Sequence, residues 1–476
     1  MRARERKIRG SESLPRGLKE KGRNRRTEIA ALASRSAVPV RNDRMPKLEL
    51  VQRKPQDLIA PKRNARKIEP AHVRDVMDSI NRVGFVSPAL IDEHGNILDG
   101  VVRVEAAKQL NLELMPCVLA EHLTPSEKRA VRLALNRLGE KGTWDLGELK
   151  SELLELLDDG ITIEATGFTL PEFDMITIGD DVDAIEPGPL QPDEGGEPVA
   201  QINDIFVFDG RHRVLCGDAT MPESYPLLMQ GETARLVFTD EPYNVNIAGH
   251  VTKGEHREFV MARGEMSDSQ FLTFNKSWIG AAILHLCEGG LLGTFIDWRG
   301  YPLVHTAATE ASLTAINLVV WTKTNAGMGS LFRSQHELFP LYKKGKGPHV
   351  NNIELGRNGR WRSNVWNYPG ASSLGSDSRK GLQLHPTVKP LALCRDAILD
   401  VTNRGDILLD PFMGSGSNLI AAEQTGRCCY GIELDPRFID VLIKRYQAIF
   451  GTNAVLESTG ETFDDVAARR RSENKE

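Results

Sequence analysis

Residues 239–244, which read Thr-Asp-Glu-Pro-Tyr-Asn, hold side chains whose types and spacing could do chemistry. The lone pair of an amine on an aromatic ring is delocalised, and two acceptors for its two N–H bonds localise it on nitrogen. Asp240 offers a carboxylate, the backbone of Glu241 offers a carbonyl, and Tyr243 after Pro242 offers a flat ring that can stack on the aromatic ring of the amine. The motif therefore predicts a site that works by positioning an aromatic amine.

A second motif, residues 410–416, reads Asp-Pro-Phe-Met-Gly-Ser-Gly and predicts a ligand-binding turn. Asp410 ends a predicted strand, while Gly414 and Gly416 let the backbone approach a ligand and adopt positive φ. The N-terminus of the following helix favours an anionic group such as a carboxylate. Glu433 follows about twenty positions later, where an acidic residue suits a ribose diol. A tight strand-to-helix turn without a ligand is the alternative.

Strand and helix patterns alternate from residue 204 onward, and these elements must position both motifs. Such alternation predicts a mostly parallel sheet covered on both faces by helices. Because ligands bind at the carboxyl ends of parallel strands, Asp240 and Asp410 are expected at one edge. Strands are predicted at 213–218, 234–240, 290–296, 316–321, 406–410 and 428–434, and helices at 270–288, 389–401, 417–425 and 436–449.

Length and composition describe an ordinary globular chain of more than one domain. Its 476 residues, 40% hydrophobic and 26% charged, exceed a single typical core. No apolar run reaches the length of about 18 residues that predicts a membrane span, and the N-terminus lacks the apolar segment of a secretory signal. The six cysteines form no C-x-x-C pair, which argues against zinc or a disulfide framework and fits a reducing cytosol.

Charge and proline–glycine content divide the chain further. Residues 1–46 hold fourteen Lys or Arg against five Asp or Glu, which is typical of a disordered tail that contacts phosphates or is simply solvated. The predicted parts are a basic tail over 1–45, a domain over 46–178, an acidic Pro/Gly linker over 179–203, a domain over 204–453 and a charged tail over 454–476.

At its two motifs the chain resembles the amino-group DNA methyltransferases, whose catalytic motif is (D/N/S)-P-P-(Y/F/W) and whose cofactor motif is D-P-F-x-G-S-G. The catalytic motif comes first here, an order similar to that of the β class, and the resemblance covers roughly residues 204–450. It implies an α/β fold with a permuted Rossmann-like sheet, a target-recognition region at about 297–384, and S-adenosylmethionine as the methyl donor.

The resemblance also implies which residues bind the cofactor. Residues 385–390 match the family's H-P-T-x-K-P motif, which contributes to binding the methionine end, and Asp218 resembles the acidic position that helps to hold the adenine. No metal is expected. The implied cofactor residues are Asp218, Thr387, Lys389, Asp410, Pro411, Phe412, Gly414, Gly416 and Glu433.

Glu241 departs from the family pattern, which has proline at that position. The carbonyl acceptor belongs to the backbone, so any residue can provide it, although the fixed φ of proline helps to aim it. The glutamate also introduces a possible negative charge near the base. We hypothesise that activity survives this departure, and a degenerate methyltransferase domain is the alternative.

The region between the motifs is expected to read DNA, because arginines there alternate with aromatic residues. A solvated loop with two packing tryptophans is the alternative. Residues 248–266 are either a mobile loop that closes over flipped DNA or solvated charge. The predicted DNA contacts are Lys323, Arg333, His336, Arg357, Arg360 and Arg362.

Residues 46 to about 140 resemble the ParB/sulfiredoxin-like domain, a small α+β unit. The matching features include 87–91 and 97–103, but Val101 and Val102 replace the Glu and first Arg of the partition proteins' G-E-R-R motif, so nucleotide binding and hydrolysis are doubtful. Gly100 and Arg103 at a helix start form a possible anion site. The resemblance implies an accessory DNA-binding or assembly module, and a structural domain without a ligand is the alternative.

The sequence therefore predicts a site-specific DNA methyltransferase that acts on double-stranded DNA in the cytoplasm, associated with the nucleoid. Aspartate at 240 favours adenine N6 over cytosine N4, for which serine is commoner in the family. A homodimer is possible from the resemblance to the β class. The rival hypotheses are a ParB-like partition or regulatory protein with an inactive methyltransferase domain, and a methyltransferase for RNA or protein.

Overall fold

The computed structural model describes most of the chain from residue 46 onward. Across the described ranges, no helix is both long and apolar enough to cross a membrane. Predictions for the basic tail, for most of the linker and of the 248–266 loop, and for Thr387 and Arg357 lie outside the described residues. The described ranges are 46–61, 67–139, 141–178, 197–244, 264–324, 326, 331–353, 360–370 and 389–473.

The chain divides into two compact units, of which the first ends at Gly142. Its sheet has the order β1-β4-β2-β3, with β2 parallel to β4 and the other pairs antiparallel. The strands are β1 (Glu49–Arg53), β2 (Ala89–Ile91), β3 (Ile97–Asp99) and β4 (Met115–Leu119), and the helices are α1 (Pro70–Val83), α2 (Val101–Gln109) and α3 (Pro125–Gly139).

Local signals define the helices of this unit. α1 starts with Pro70 in its first turn, as the sequence predicts. Before α3, Thr124 and Glu127 exchange hydrogen bonds as a capping box. At the start of α2, the guanidinium of Arg103 bonds Asp99 at 2.5 Å and also bonds Ser87. At the predicted anion site, the Arg103 guanidinium is thus already paired with the carboxylate of Asp99.

The second unit, Thr143–Glu476, contains a ten-stranded sheet of order β11-β9-β10-β8-β7-β12-β13-β6-β5-β14. The run β8-β7-β12-β13-β6 is parallel, which confirms the predicted α/β fold. The strands are β5 (Ile205–Phe208), β6 (His212–Cys216), β7 (Ala234–Thr239), β8 (Leu286–Thr294), β9 (Thr314–Thr322), β10 (His336–Lys343), β11 (Val365–Asn367), β12 (Ile407–Asp410), β13 (Cys428–Glu433) and β14 (Val455–Leu456).

Helices cover both faces of this sheet. Successive residues of the central strands β7 and β12 point to opposite faces of the sheet. Phe238 and Leu408 pack in the core on one face, and Val237 and Leu409 pack in the core on the other. The helices are α4 (Leu146–Asp158), α5 (Leu170–Ile178), α6 (Ser224–Met229), α7 (Asp268–Leu284), α8 (Tyr301–Glu310), α9 (Leu391–Val401), α10 (Ser417–Thr425), α11 (Pro436–Phe450) and α12 (Phe463–Glu473).

Two segments differ from the sequence-based picture. Helices α4 and α5, predicted to trail the N-terminal domain, lie in the second unit, where Asp174 binds Arg404 at 2.7 Å and the buried Arg427 at 2.8 Å. The predicted C-terminal tail contains β14 and α12, because Phe463 and Val466 are buried in the core. The exact domain limits stay a prediction.

Candidate active site

The carboxyl ends of the central parallel strands bring both motifs to one edge of the sheet. Asp240 directly follows β7, Asp410 ends the neighbouring β12, and Glu433 ends β13. Gly217, after β6, donates its N–H to the carbonyl of Glu433 at 2.9 Å and so brings the next residue, Asp218, to the same edge. This arrangement follows from strand order alone.

Asp410 is a buried anchor for the turn after β12. Its Oδ1 accepts hydrogen bonds from Thr239 Oγ1 at 2.7 Å and from the N–H of Phe412 at 3.1 Å, and its Oδ2 accepts one from Asn418 at 2.8 Å. Burial raises the pKa of Asp410 to about 6, although these hydrogen bonds oppose the rise. The carboxylate therefore shapes the backbone that would face a ligand.

Glycines allow the turn itself. Gly414 and Gly416 have φ values of 51° and 78°, in the left-handed region that disfavours side chains, and a Cβ at 416 would lie 3.0 Å from that of Leu442. Arg445 donates to the carbonyl of Ser415 at 3.0 Å and so holds the loop. α10 starts at the end of this turn, so its free N–H groups lie beside it.

Two further acidic groups line this edge. Glu433 accepts from the N–H of Gly414 at 2.8 Å and from that of Asp435 at 2.9 Å, and burial raises its pKa to about 7. Asp218 Oδ1 accepts from the N–H and the hydroxyl of Thr220. Each carboxylate oxygen has two lone pairs, so both groups retain acceptor capacity for the hydroxyl and amino groups of a nucleoside.

Aromatic rings back the turn. The Phe412 ring, which follows Pro411, lies 5.7 Å from that of Phe274 and 5.6 Å from that of Trp278, both on α7. α7 is fixed by a capping box between Ser267 and Gln270. The aromatic residues of α7 therefore form an apolar wall beside the turn.

The catalytic motif sits in a charged cluster. The Tyr243 hydroxyl lies 2.7 Å from Asp240 Oδ1 and 2.9 Å from Glu337 Oε2. Lys389 Nζ lies 2.6 Å from Asp240 Oδ2 and 3.1 Å from Glu337 Oε2, and Lys323 also binds Glu337. Two carboxylates and two ammonium groups thus balance one another around the tyrosine.

The two carboxylates of this cluster have opposite pKa shifts. Burial raises the pKa of Asp240, and the attraction of Lys389 only partly opposes it. Burial acts in the same direction on Glu337, but Lys389 and Lys323 outweigh it and lower the pKa to about 2. Glu337 is therefore held in its ionised form by the two lysines.

The side chain of Glu241, which the sequence suggested as a possible negative charge near the base, is buried against β8. Its side chain is 1% exposed and is hydrogen-bonded to Thr294 at the end of β8. Burial raises its pKa well above the usual value, because the ionised form would lose its hydration. Pro242, which is half-buried, follows it and leads into Tyr243.

Three of the residues predicted to contact DNA lie on or near β9 and β10. His336 is exposed at the first residue of β10, and Arg333, also exposed, donates to the carbonyl of residue 326 at 2.5 Å. Lys323 is turned inward: its ammonium binds Glu337 and lies 4.7 Å from the centre of the Trp321 ring. The sequence missed this role because Glu337 and Lys323 meet only when β9 and β10 pair.

Arg360 and Arg362 form a buried ion cluster with α9. Arg360 donates to Asp400 Oδ1 at 2.7 Å, and Arg362 donates to Asp400 Oδ2 at 2.9 Å and to the Tyr368 hydroxyl at 2.7 Å. We assign both arginines a structural role in place of the DNA contact that the sequence predicted.

Lys389, for which the resemblance implies a place in cofactor binding, lies against the catalytic motif. Its ammonium binds Asp240 of the catalytic motif, and it lies over the rings of Tyr243, Phe295 and Trp321 at 4.8–5.6 Å from their centres. Sequence reasoning missed this contact, because Lys389 and Asp240 are 149 positions apart in the chain.

Comparisons with known proteins found similar sequences. Residues 234–445 match the N6/N4 methyltransferase family model, described as DNA methylase. The type II methyltransferase M2.MboI of Moraxella bovis is 28% identical over 231 residues, which are 46% of this chain and 83% of that protein.

Two solved structures resemble parts of the chain. The M1.HpyAVI–SAM complex, at 22% identity and a TM-score of 0.37, covers 49% of this chain and 97% of that one. A truncated chromosome-partitioning protein ParB from Caulobacter crescentus, complexed with CTP-gamma-S, covers 29% of this chain and 83% of that one, at 16% identity and a TM-score of 0.25.

Proposed function

Residues 234–445 form a domain of the N6/N4 DNA methyltransferase family, and from this premise we propose that the chain methylates adenine N6 at a specific site in double-stranded DNA. The observation that carries the proposal is the adjacency of two motifs: Asp240 and Asp410 end neighbouring parallel strands. An amine held at Asp240 would lie beside a methyl donor bound at the turn after Asp410.

S-adenosylmethionine supplies the methyl group in this proposal. The residues present fit it: Glu433 and Asp218 are acceptors for the ribose and adenine, and the N-terminus of α10 suits the carboxylate. The glycines of the turn leave space for close approach, and Phe412, after Pro411, faces the apolar wall of α7. Thr387, implied by the resemblance, lies outside the described residues.

The chain's own residues would activate the base by position. Asp240 accepts one N–H of the exocyclic amine and the carbonyl of Glu241 accepts the other, while Tyr243 stacks on the flipped ring. The amine replaces the Tyr243 hydroxyl, which occupies Asp240 Oδ1 at 2.7 Å. Lys389 remains on Asp240 Oδ2 and holds the carboxylate in place. Catalysis is then mostly positioning and electrostatics.

Adenine N6, duplex DNA as the substrate and a cytoplasmic, nucleoid-associated location are parts of the same proposal. Support for adenine is the aspartate at 240, since serine is commoner where the family acts on cytosine N4. His336 and Arg333 remain the proposed DNA contacts, and both are exposed. The possible homodimer stays a prediction, and sedimentation of the purified chain would test it.

Single-molecule sequencing of DNA from cells that express the chain tests the proposal. N6-methyladenine at one recurrent sequence, absent from an Asp240→Ala control, is the expected outcome. N4-methylcytosine at such a site would correct the base, and methylation of RNA or protein in a substrate panel would correct the substrate. No modification by a folded protein that binds S-adenosylmethionine would overturn the activity.

The second candidate is a DNA-binding protein whose methyltransferase domain is inactive. The contacts of Asp240 with Lys389 and Tyr243 favour it, because an incoming amine must compete with partners that are already present on both oxygens. Tight DNA binding by the purified chain, with no transfer of labelled methyl groups, would support this candidate.

A further inference from the structure

Glu241 is the one departure of the catalytic motif from its family, and its surroundings show how the chain accommodates it. The side chain points away from solvent and reaches β8, where it is hydrogen-bonded to Thr294. Thr294 pairs with Thr239 across β7 and β8, and the N–H of Phe295 donates to the Thr239 carbonyl at 3.1 Å. The segment after β7 is thus tied to β8 through a side chain as well as through the ladder.

The hydrogen bonding of Glu241 fits a neutral carboxylic acid. Glu241 Oε1 is buried without a hydrogen-bond partner in the described part of the chain. A carboxylate with an unpaired oxygen in such a place is costly, whereas a neutral acid bonded to Thr294 through Oε2 has no buried charge that needs solvation.

Charge balance leads to the same conclusion. The groups whose charges act on Glu241 are Asp240, which disfavours its ionisation, and Lys389, which favours it. Because Lys389 already balances carboxylates at 2.6 and 3.1 Å, it has little remaining attraction for a third.

We propose that Glu241 is a positioning residue, which as a neutral acid bonded to Thr294 aims its own backbone carbonyl at the amine, the task that proline performs in the family motif. This inference rests on the proposed function, since the carbonyl has a task only if an amine is held there. Proline restricts φ covalently, whereas Glu241 restricts the same segment by anchoring its side chain on the next strand.

Steady-state kinetics of four variants test the proposal. Glu241→Ala and Thr294→Val are expected to lower kcat about tenfold or more, with unchanged KM for DNA and S-adenosylmethionine, because each loosens the carbonyl and touches neither substrate. Glu241→Gln, which keeps the bond to Thr294, and Glu241→Pro, which restores the ring, are each expected to recover most of that loss. Glu310→Gln, on the exposed end of α8, is the matched surface control.

Two kinetic outcomes would overturn the inference. Wild-type kcat in Glu241→Ala would show that the side chain positions nothing. A loss in Glu241→Gln as large as that in Glu241→Ala would show that the ionised carboxylate is required. Thermal melting of each variant separates misfolding from misplacement, and Thr294→Val still tests the contact if Glu241→Ala does not fold.

An infrared measurement keeps this inference distinct from the proposed function. The wild-type spectrum minus that of Glu241→Gln at neutral pH is expected to show the carbonyl stretch of a protonated carboxyl group. Absence of that band, with a carboxylate band in its place, would overturn the neutral acid even if methylation occurs. Its presence in a protein that methylates nothing would leave the neutral acid established and would refute the proposed function and the positioning role.

Discussion

Thr239 Oγ1 donates a hydrogen bond to Asp410 Oδ1 at 2.7 Å, and this contact joins the two motifs of the site. Thr239 is the last residue of β7, directly before Asp240, and Asp410 is the last residue of β12. A side chain of the catalytic strand thus helps to shape the turn proposed to hold the methyl donor. A substitution next to the catalytic motif is therefore expected to alter the conformation of the cofactor motif.

Thr239→Val is expected to weaken folding and cofactor binding together. The change leaves the buried Asp410 with one donor fewer, which costs about 1–3 kcal/mol of unfolding free energy. Because Asp410 also holds the N–H of Phe412, the affinity for S-adenosylmethionine should fall several-fold. Urea denaturation and calorimetric titration measure the two effects. Thr306→Val on α8 is the control, and an affinity equal to that of the control would contradict the link.

Lys389→Met is expected to abolish most activity and to move the acid limb of the rate profile to higher pH. Without the ammonium group, Asp240 and Glu337 lose their shared counter-ion, so the pKa of each rises. Loss of the electrostatic support should lower kcat about 100-fold. The pH dependence of kcat is the measurement, with Lys389→Arg as the charge-conserving control. An acid limb at the wild-type position would show that Lys389 does not control these carboxylates.

The same cluster predicts how stability depends on pH. The pKa of Glu337 is lowered to about 2 from an ordinary value of 4.5. Its contribution to stability is therefore fully present above about pH 4.5 and is lost as the pH falls towards 2. Acid denaturation of Glu337→Gln should be less steep than that of the wild type over this window. Equal slopes would mean that Glu337 is not held ionised by the lysines.

The residues at the carboxyl edge of the sheet could be predicted from sequence, because their placement depends only on the residues next to them in the chain. Asp240 and Asp410 each end an apolar run, and parallel strands align their carboxyl ends whatever the order of the strands. Glu433 follows the same rule one strand later. These residues needed no knowledge of partners distant in the chain.

Partners of charged residues could not be predicted in this way. An arginine between aromatic residues, such as Arg360, has the same local sequence whether it faces DNA or a buried carboxylate. Asp400, its partner, lies 40 positions away on α9. Glu337 likewise reaches Tyr243 across 94 positions, and Phe463 gives α12 a buried anchor within a strongly charged segment. Such contacts depend on packing, which the sequence pattern does not encode.

Binding of S-adenosylmethionine is expected to strengthen between about pH 6 and pH 8, as Glu433 loses its proton. Burial holds the pKa of Glu433 at about 7, and only the ionised form offers both oxygens to the N–H groups and the ribose. The pH dependence of folding runs in the opposite direction. Because burial raises the pKa of Glu433 from 4.5 to about 7, its contribution to stability is largest below pH 4.5 and is lost as the pH rises through about 7. Calorimetric titration across this range should show a pH-dependent affinity in the wild type and a weaker, flat one in Glu433→Gln. Equal pH dependence in both would exclude Glu433 as the titrating group.

Arg360→Ala and Arg333→Ala are expected to separate structure from DNA contact. Arg360 is buried and shares Asp400 with Arg362, so its removal takes one of two charged partners from that carboxylate and costs about 1.5–3 kcal/mol of unfolding free energy. Arg333 is exposed, so its removal should change stability by less than about 0.5 kcal/mol. If it contacts a phosphate, the plot of log affinity for DNA against log salt should lose about one unit of slope. Denaturation curves and salt titrations of both variants are the measurements. A stable Arg360→Ala with a reduced salt slope would return Arg360 to the DNA surface.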